Sequence, residues 1–447
     1  MKEFNEMEIP AMCLESLVQK VAQPLSRAEV VESMRISRLP LGSFFKGLVP
    51  MVILVFQRLM IVACFVILPL EQAVSVLLFL LVFNYAVAEV PRGESGLFQA
   101  RPMTESQDKL ASALSHFTRY EPPVWCLDNH WSTVLPLLLF NHAPKQLYRQ
   151  KLTARDGATL GLDWYIPSVP IEGVILVIPG LNGSSQGSYC TDLMERMGPK
   201  GYAIAVLNGR GAGRSKIHAV KYAFHLGRSS DLLVSLEAIE ALIRPSRVPI
   251  FFLGYSAGGV RAMKFASVYG HELKGRVAGI LSFGASLRNH CTLTLKTSTH
   301  VYQPVIAHTY AATMLHKISE SKPQSEELIK MNDLFTARSF ESFRDFDRRV
   351  TSVIHNMTLE EYEREVFAYH DERWLDISVP CLVVNAIDDP VLHVQDAVIP
   401  EMATLNSNIC YLVTKKGGHI GWPTGLSMRE HGYRWISDVA YAFIKTQ

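Results

Sequence analysis

Charge is scarce in this sequence. Asp, Glu, Lys and Arg together make up 19% of its 447 residues, and 44 basic against 42 acidic side chains leave a formal charge of +2. With no long basic run, nucleic acid is not an expected partner. Hydrophobic residues at 48% argue equally against a disordered chain. Cysteine patterning is missing too. Cys13, Cys64, Cys126, Cys190, Cys291, Cys381 and Cys410 are scattered, odd in number and contain no C-x-x-C. Neither a disulfide framework nor a structural zinc site is therefore expected, and Cys190, Cys291 and Cys410 read as core or neutral surface thiols. No internal repeat or low-complexity tract occurs. What remains is a large globular body with one unusually apolar stretch.

That stretch runs from Gly47 to Ala88, where Arg58 and Glu71 are the only formal charges in 42 residues. It starts too late and runs too long for a secretory signal peptide. Ile67–Ala88, 22 residues with Glu71 near one end, is long enough to cross about 30 Å of hydrocarbon. The preceding piece, Leu48–Val66, carries Arg58 at its middle, where insertion costs roughly 2.5–3.5 kcal/mol. Pro69-Leu70-Glu71-Gln72 offers a turn that would make a hairpin instead. One crossing is the first expectation for residues 47–89, a re-entrant hairpin the second, and a buried helical pair the third. Arg35, Arg38 and Lys46 before the run balance Arg92 and Arg101 after it, so flanking charge sets no orientation. Residues 1–46 carry no catalytic motif and read as an amphipathic or partly ordered arm, and 90–145 as a lead-in to the catalytic body.

From about Gln146 to the end, residues 146–447, strand and helix patterns alternate. Asp156-Gly157 between Leu147–Leu152 and Thr159–Tyr165 signals a hairpin of two antiparallel strands. Val174–Ile178, Ala203–Leu207, Ile250–Leu253, Val277–Phe283, Cys381–Val384 and Ile409–Val413 follow as short apolar runs. Helical patterns lie between, including Ser230–Leu242, Gly258–Tyr269 and Ser427–Ile444. The expected fold class is α/β, an eight-stranded and mostly parallel sheet covered on both faces. Residues 287–376 exceed one crossover and read as a helical cap.

Chemistry concentrates in four loops. Gly254-Tyr255-Ser256-Ala257-Gly258 is a G-x-S-x-G set directly after a strand and before a helix, which lifts Ser256 Oγ above the sheet. The Ala257 N–H, at the helix start, can face a developing oxyanion. A second donor is expected from Pro179-Gly180-Leu181-Asn182-Gly183-Ser184, with the Leu181 N–H as candidate. In a hydrolase of this kind the acid and base follow the nucleophile in chain order. Asp388 and Asp389, ahead of Pro390, compete for the acid. His419, between Gly418 and Ile420-Gly421 after the last strand, is the expected base.

These four loops resemble the abhydrolase-domain 1/2/3 and bacterial YheT-like branch of the α/β-hydrolases. Tyr120-Glu121-Pro122-Pro123-Val124-Trp125 and Asn129-His130-Trp131-Ser132-Thr133 resemble its Y-x-P-x-x-W and N-x-H-x-x-T lead-in. Leu207-Asn208-Gly209-Arg210-Gly211, with Gly213, Ser215 and Asp231, resembles its N-x-R-G-x-x-G segment and the acid beyond. Phe346-Asp347, Thr351 and Tyr362 resemble its F-D…T…Y pattern. The likeness covers roughly Ala111 to Phe443 and implies that Asp389 is the acid. The chain departs from the pattern at Pro179, where many hydrolases have His, and at Trp131 and Ser132. It also has no H-x-x-x-x-D acyltransferase signature at any of its fifteen histidines.

The resemblance implies a membrane-anchored serine esterase acting on phospholipid, acylglycerol or medium-chain acyl esters, through an acyl-enzyme on Ser256 and with no metal or organic cofactor. The alternatives are acyl transfer to an alcohol by the same triad and a non-catalytic lipid-binding or receptor protein on the same fold. Asn356-Met357-Thr358 and Asn182-Gly183-Ser184 match glycosylation sequons, and a glycan at Asn182 would block the oxyanion loop. A catalytic body facing the cytosol is therefore expected, and the expected location is an internal membrane such as the endoplasmic reticulum. Oligomeric state is left open.

Overall fold

The apolar runs assemble into a single sheet in a computed structural model that describes residues 11–26, 94–99, 104–123, 125–126, 128–139, 145–212, 224–244, 246–290, 292, 295–320, 340–425 and 432–447. The strands are β1 (Ala22–Pro24), β2 (Gly96–Phe98), β3 (Tyr148–Thr153), β4 (Thr159–Tyr165), β5 (Gly173–Ile178), β6 (Tyr202–Asn208), β7 (Ile250–Tyr255), β8 (Gly279–Phe283), β9 (Cys381–Ala386) and β10 (Ile409–Thr414). Their order is β1-β3-β4-β6-β5-β7-β8-β9-β10-β2. The six strands from β6 to β10 run parallel, while β3, β4 and both edge strands pair antiparallel. At the β3–β4 hairpin, Gly157 takes φ +90°, and Asp156 Oδ1 accepts the Ala158 N–H at 3.1 Å.

Alternation along each strand sends neighbours to opposite faces. On β5, Val174, Leu176 and Ile178 join one core with Leu232, Leu236, Met263 and Phe265 of the helices Ser230–Ile243 and Ala257–Tyr269. Ile175 and Val177 join the opposite core with Leu193 and Met197 of Ser188–Met197 and Val439 and Phe443 of Arg434–Ile444. Both faces being covered, β5 to β10 are buried at every position. Such strands read as continuous apolar runs in sequence.

The sheet has two more strands than the eight expected, and both come from residues assigned outside the catalytic body. The arm supplies β1 and the helix Ala11–Val21, whose Leu14 and Val18 are wholly buried against the same core as Trp164. It is an integral part of the domain. The lead-in supplies β2 and the helix Glu105–Leu114, which carries a capping box between Thr104 and Gln107. Beyond it, Phe117 and Tyr120 meet Trp435 edge-on, with centroids 5.6 and 5.5 Å apart.

Within 287–376 the described residues are largely helical, including Gln303–Glu320, Phe343–Phe346 and Leu359–Val366. This region has its own apolar cluster of Ala307, Tyr310, Met314, Phe340, Phe346 and Val350, against which Leu181 and Phe224 pack. The expected anchor, 47–89, lies outside the described residues. Among the described residues no helix is long and apolar enough to cross a membrane.

Candidate active site

Ser256 occupies the single residue between β7 and the helix Ala257–Tyr269, at φ +51°, ψ −119°. That backbone conformation is costly for a side-chain-bearing residue, of order 1–3 kcal/mol, and persists only when its surroundings enforce it. They do so by close packing. A Cβ on Gly258 would collide with the Ile178 carbonyl, and one on Gly254 with the Gly258 carbonyl. The Ser256 N–H donates to Phe283 O at 2.8 Å, tying the turn to β8.

The turn delivers Ser256 Oγ to 2.9 Å from His419 Nε2, and His419 Nδ1 lies 2.7 Å from Asp389 Oδ2. Asp389 is nearly buried, and its other oxygen accepts the N–H groups of Val391 and Leu392 at 2.7 and 2.9 Å. With Nδ1–H directed at the carboxylate, Nε2 is left free to accept the serine proton. Of the two competing acids, Asp389 reaches the imidazole and Asp388 does not. Asp388 Oδ1 instead accepts the Gly418 N–H at 2.9 Å. Burial, with the Asp389 charge adding to it, pushes the Asp388 carboxyl up to about 7.

The helix Asn129–Leu139 fastens both loops from behind. Asn129 Nδ2 donates to Asp388 O at 2.7 Å, and Thr133 Oγ1 accepts the His419 N–H at 2.9 Å while donating to Asn129 O. Gly418, at φ +64°, passes so close to Ser132 and Thr133 that no side chain would fit. These positioning contacts were not assigned from sequence. Their one signal was the lead-in likeness at Asn129 and Thr133.

The Leu181 loop lies against the nucleophile. A Cβ on Gly180 would stand 3.3 Å from Tyr255 O and 3.5 Å from Ser256 Cβ. Tyr189 Oη accepts the Gly180 N–H at 3.2 Å. A buried network braces the far end of the loop: Asp163 accepts from Arg149, from Ser185 Oγ at 2.6 Å and from Asn208 Nδ2 at 2.8 Å. The N–H groups of Leu181 and Ala257 donate to no described residue, and both residues line a cleft of about 430 Å³, open mouth included. Phe224, Arg261, Tyr310 and Met314 line it as well. Cys190 and Cys410 are buried away from this chemistry, their thiols pushed up by burial, Cys410 to about 12. Among the described residues, no group of three or more His, Cys, Asp or Glu is placed to hold a metal ion.

A mostly parallel sheet covered on both faces, with a strained serine after β7 and the Asp and His partners after β9 and β10, defines an α/β-hydrolase. The chain belongs to the family described as serine aminopeptidase, S33, whose model matches residues 169–414. It is an enzyme, a serine hydrolase of the lipase/esterase type. It is 27% identical over 326 residues to phospholipase ABHD3 of Homo sapiens, covering 70% of this chain and 76% of that one. It is 26% identical over 314 residues to the putative esterase YheT of Escherichia coli, covering 69% and 88%. Against a monoacylglycerol lipase ABHD2 of Danio rerio it is 25% identical over 339 residues, covering 72% and 79%. Among solved structures, the Pyrococcus furiosus esterase Pf2001 matches at 12% identity and a TM-score of 0.38, covering 63% of this chain and 89% of that one.

Proposed function

We propose that the protein hydrolyses carboxylic esters of lipids in two steps through an acyl-enzyme. The observation that carries this reading is the hydrogen-bonded chain Ser256–His419–Asp389. In the first step His419 Nε2 takes the Ser256 proton as Oγ attacks the ester carbonyl, and Asp389 stabilises the imidazolium. The N–H groups of Leu181 and Ala257 receive the oxyanion. His419 then protonates the leaving alcohol, and water activated by the same imidazole releases the acid. The aromatic and aliphatic cap side chains at the cleft suit an acyl chain, and the phospholipase and monoacylglycerol lipase names of two relatives accord with lipid esters.

The test is turnover of a medium-chain phospholipid and a monoacylglycerol by the purified full chain and its Ser256→Ala variant, with an alcohol present. Free fatty acid formed by the native protein alone supports the reading. A new ester as chief product would make the enzyme an acyltransferase, and equal turnover by both proteins would remove Ser256 from the mechanism.

Membrane attachment through residues 47–89 is part of the proposal, resting on two charges in 42 residues of Gly47–Ala88. Support for a hairpin over one crossing comes from the sheet. β1 before the segment pairs with β3, and β2 after it pairs with β10. Both flanks of 47–89 thus belong to one folded body on one side of the bilayer, so a chain that enters lipid must return. A cytosol-facing body on an internal membrane such as the endoplasmic reticulum belongs to the same proposal, since a glycan on the exposed Asn182, which lines the cleft beside Leu181, would obstruct it.

A further inference from the structure

Arg261 lies four residues beyond Ala257 on the same helix, about 6 Å along its axis. It lines the cleft that Leu181 and Ala257 line, yet only 5% of it is exposed. Its Nε has no hydrogen-bond partner among the described residues. The nearest carboxylate oxygen, Asp231 Oδ2, stands 3.9 Å from Nη2, and the Phe224 ring lies 5.6 Å from Cζ. A buried, incompletely bonded guanidinium is expensive to maintain.

Its neighbours do not neutralise it. Asp231 is already held by Arg210 Nε and Nη2 at 2.9 and 2.7 Å, and Asp156 by Arg210 and by Arg228 at 2.9 Å. Arg210, Arg228 and Arg261 thus crowd around Asp156 and Asp231. A third acid, Glu365, acts on both Arg228 and His225 but is more than half exposed. Asp347, the other buried acid near Tyr310, is pushed up to about 7 by burial. The arginines also face buried His225 and half-buried His355. Burial, then His355 and the arginine charges, push His225 down to about 3, and burial with the charges of Arg228 and Arg210 pushes His355 down to about 4.

We propose that Arg261 is a substrate-binding residue that receives a singly charged oxyanion, a phosphodiester or a carboxylate, carried by the ester a few atoms from the scissile carbonyl. The proposal rests on the hydrolase reading of the Ser256 site and narrows its substrate class from esters in general to anionic ones. An oxyanion in the cleft pairs with the Arg261 guanidinium and offsets its buried charge, while the carbonyl meets Leu181 and Ala257. A glycerophospholipid has this spacing between its phosphate and its neighbouring ester, and so does a short dicarboxylate half-ester. A neutral acylglycerol leaves the guanidinium unpaired.

The test compares kcat/KM for two substrate pairs in the full-length native protein, Arg261→Lys and Arg261→Met. The first pair is an acylglycerophosphoglycerol and the acylglycerol of the same chain. The second is the p-nitrophenyl half-ester of glutarate and p-nitrophenyl butyrate. A fluorophosphonate probe run in parallel reports whether each variant keeps a reactive Ser256. The native preference for the anionic member is expected to fall about ten- to hundredfold in Arg261→Met, as for a charge-assisted hydrogen bond lost. The fall should appear mainly in KM and be partly restored in Arg261→Lys. A fall in the first pair alone assigns a phosphate, and a fall in the second alone a carboxylate. Native protein that labels with the probe but cleaves neither lipid would defeat the lipid-ester reading while leaving the p-nitrophenyl pair to test Arg261. Absence of an anionic preference in the native protein, or the same preference in labelled Arg261→Met, overturns the proposal.

Discussion

Two adjacent aspartates show how much a single residue decides. Only Asp389 touches His419, so Asp389→Asn is expected to lower kcat by roughly 10⁴ through the wrong imidazole tautomer, measured on a short soluble ester. Asp388→Asn should cost much less, since an amide oxygen can still accept the Gly418 N–H. Asp388 should instead reveal itself through pH. Its carboxyl is raised to about 7 in the folded protein, above the usual 3.9 or so of an unfolded chain. The folded state therefore binds more protons between these values. The stabilisation is fully present below the unfolded pKa and is lost as pH rises through 7. The melting temperature of Asp388→Asn relative to the native protein should accordingly climb between pH 5 and pH 8, and a flat difference would contradict the assignment. A sequence cannot separate these neighbours by composition. What distinguishes them is which oxygen the turn before Pro390 aims at the imidazole, and family likeness alone had favoured Asp389.

At the scale of elements, the nucleophile turn depends on contact between the helix Ala257–Tyr269 and the end of β5. Gly258→Ala would drive a methyl group into the Ile178 carbonyl, backbone that cannot swing aside as a side chain can. Overpacking of this kind costs about 1–3 kcal/mol, to be read from urea unfolding, and Ser256 labelling should slow with it. Strands β5 to β10 and this turn were legible in sequence because a buried parallel strand is a continuous apolar run closed by turn residues. The edge strands were not, since Ala22-Gln23-Pro24 and Gly96-Leu97-Phe98 are too short to show a period of two. Pro24 also reads as a breaker, though an edge position tolerates it. The buried face of Ala11–Val21 was legible only as amphipathicity, with no indication of what it packs against. Leu14→Ala tests that packing directly. A loss of about 2–5 kcal/mol is expected for a wholly buried leucine, whereas a detached arm would show none.

For the whole molecule, the consequence is that the chain cannot be cut at the apolar segment without losing part of the core. Starting it near Val90 would remove β1 and the helix bearing Leu14 and Val18, exposing apolar surface around Trp164. Deleting residues 47–89 alone keeps both edge strands. That shortened chain is expected to leave the membrane fraction on carbonate extraction and still cleave a short soluble ester, while the full chain stays with the membrane. In sealed microsomes, tags at the two termini should respond to added protease together, as a hairpin requires. Protection of one terminus only would indicate a single crossing and would contradict the shared sheet.

The account turns on Ser256 as the nucleophile, and trapping the covalent intermediate tests it most directly. The full-length protein, reacted with a fluorophosphonate and digested, should yield one modified active-site peptide by mass spectrometry, with the adduct on Ser256 and ester hydrolysis abolished in step. Ser256→Ala should take up no label there and lose on the order of 10⁶ in kcat. An adduct on another residue, or Ser256→Ala activity within tenfold of native, would contradict the account.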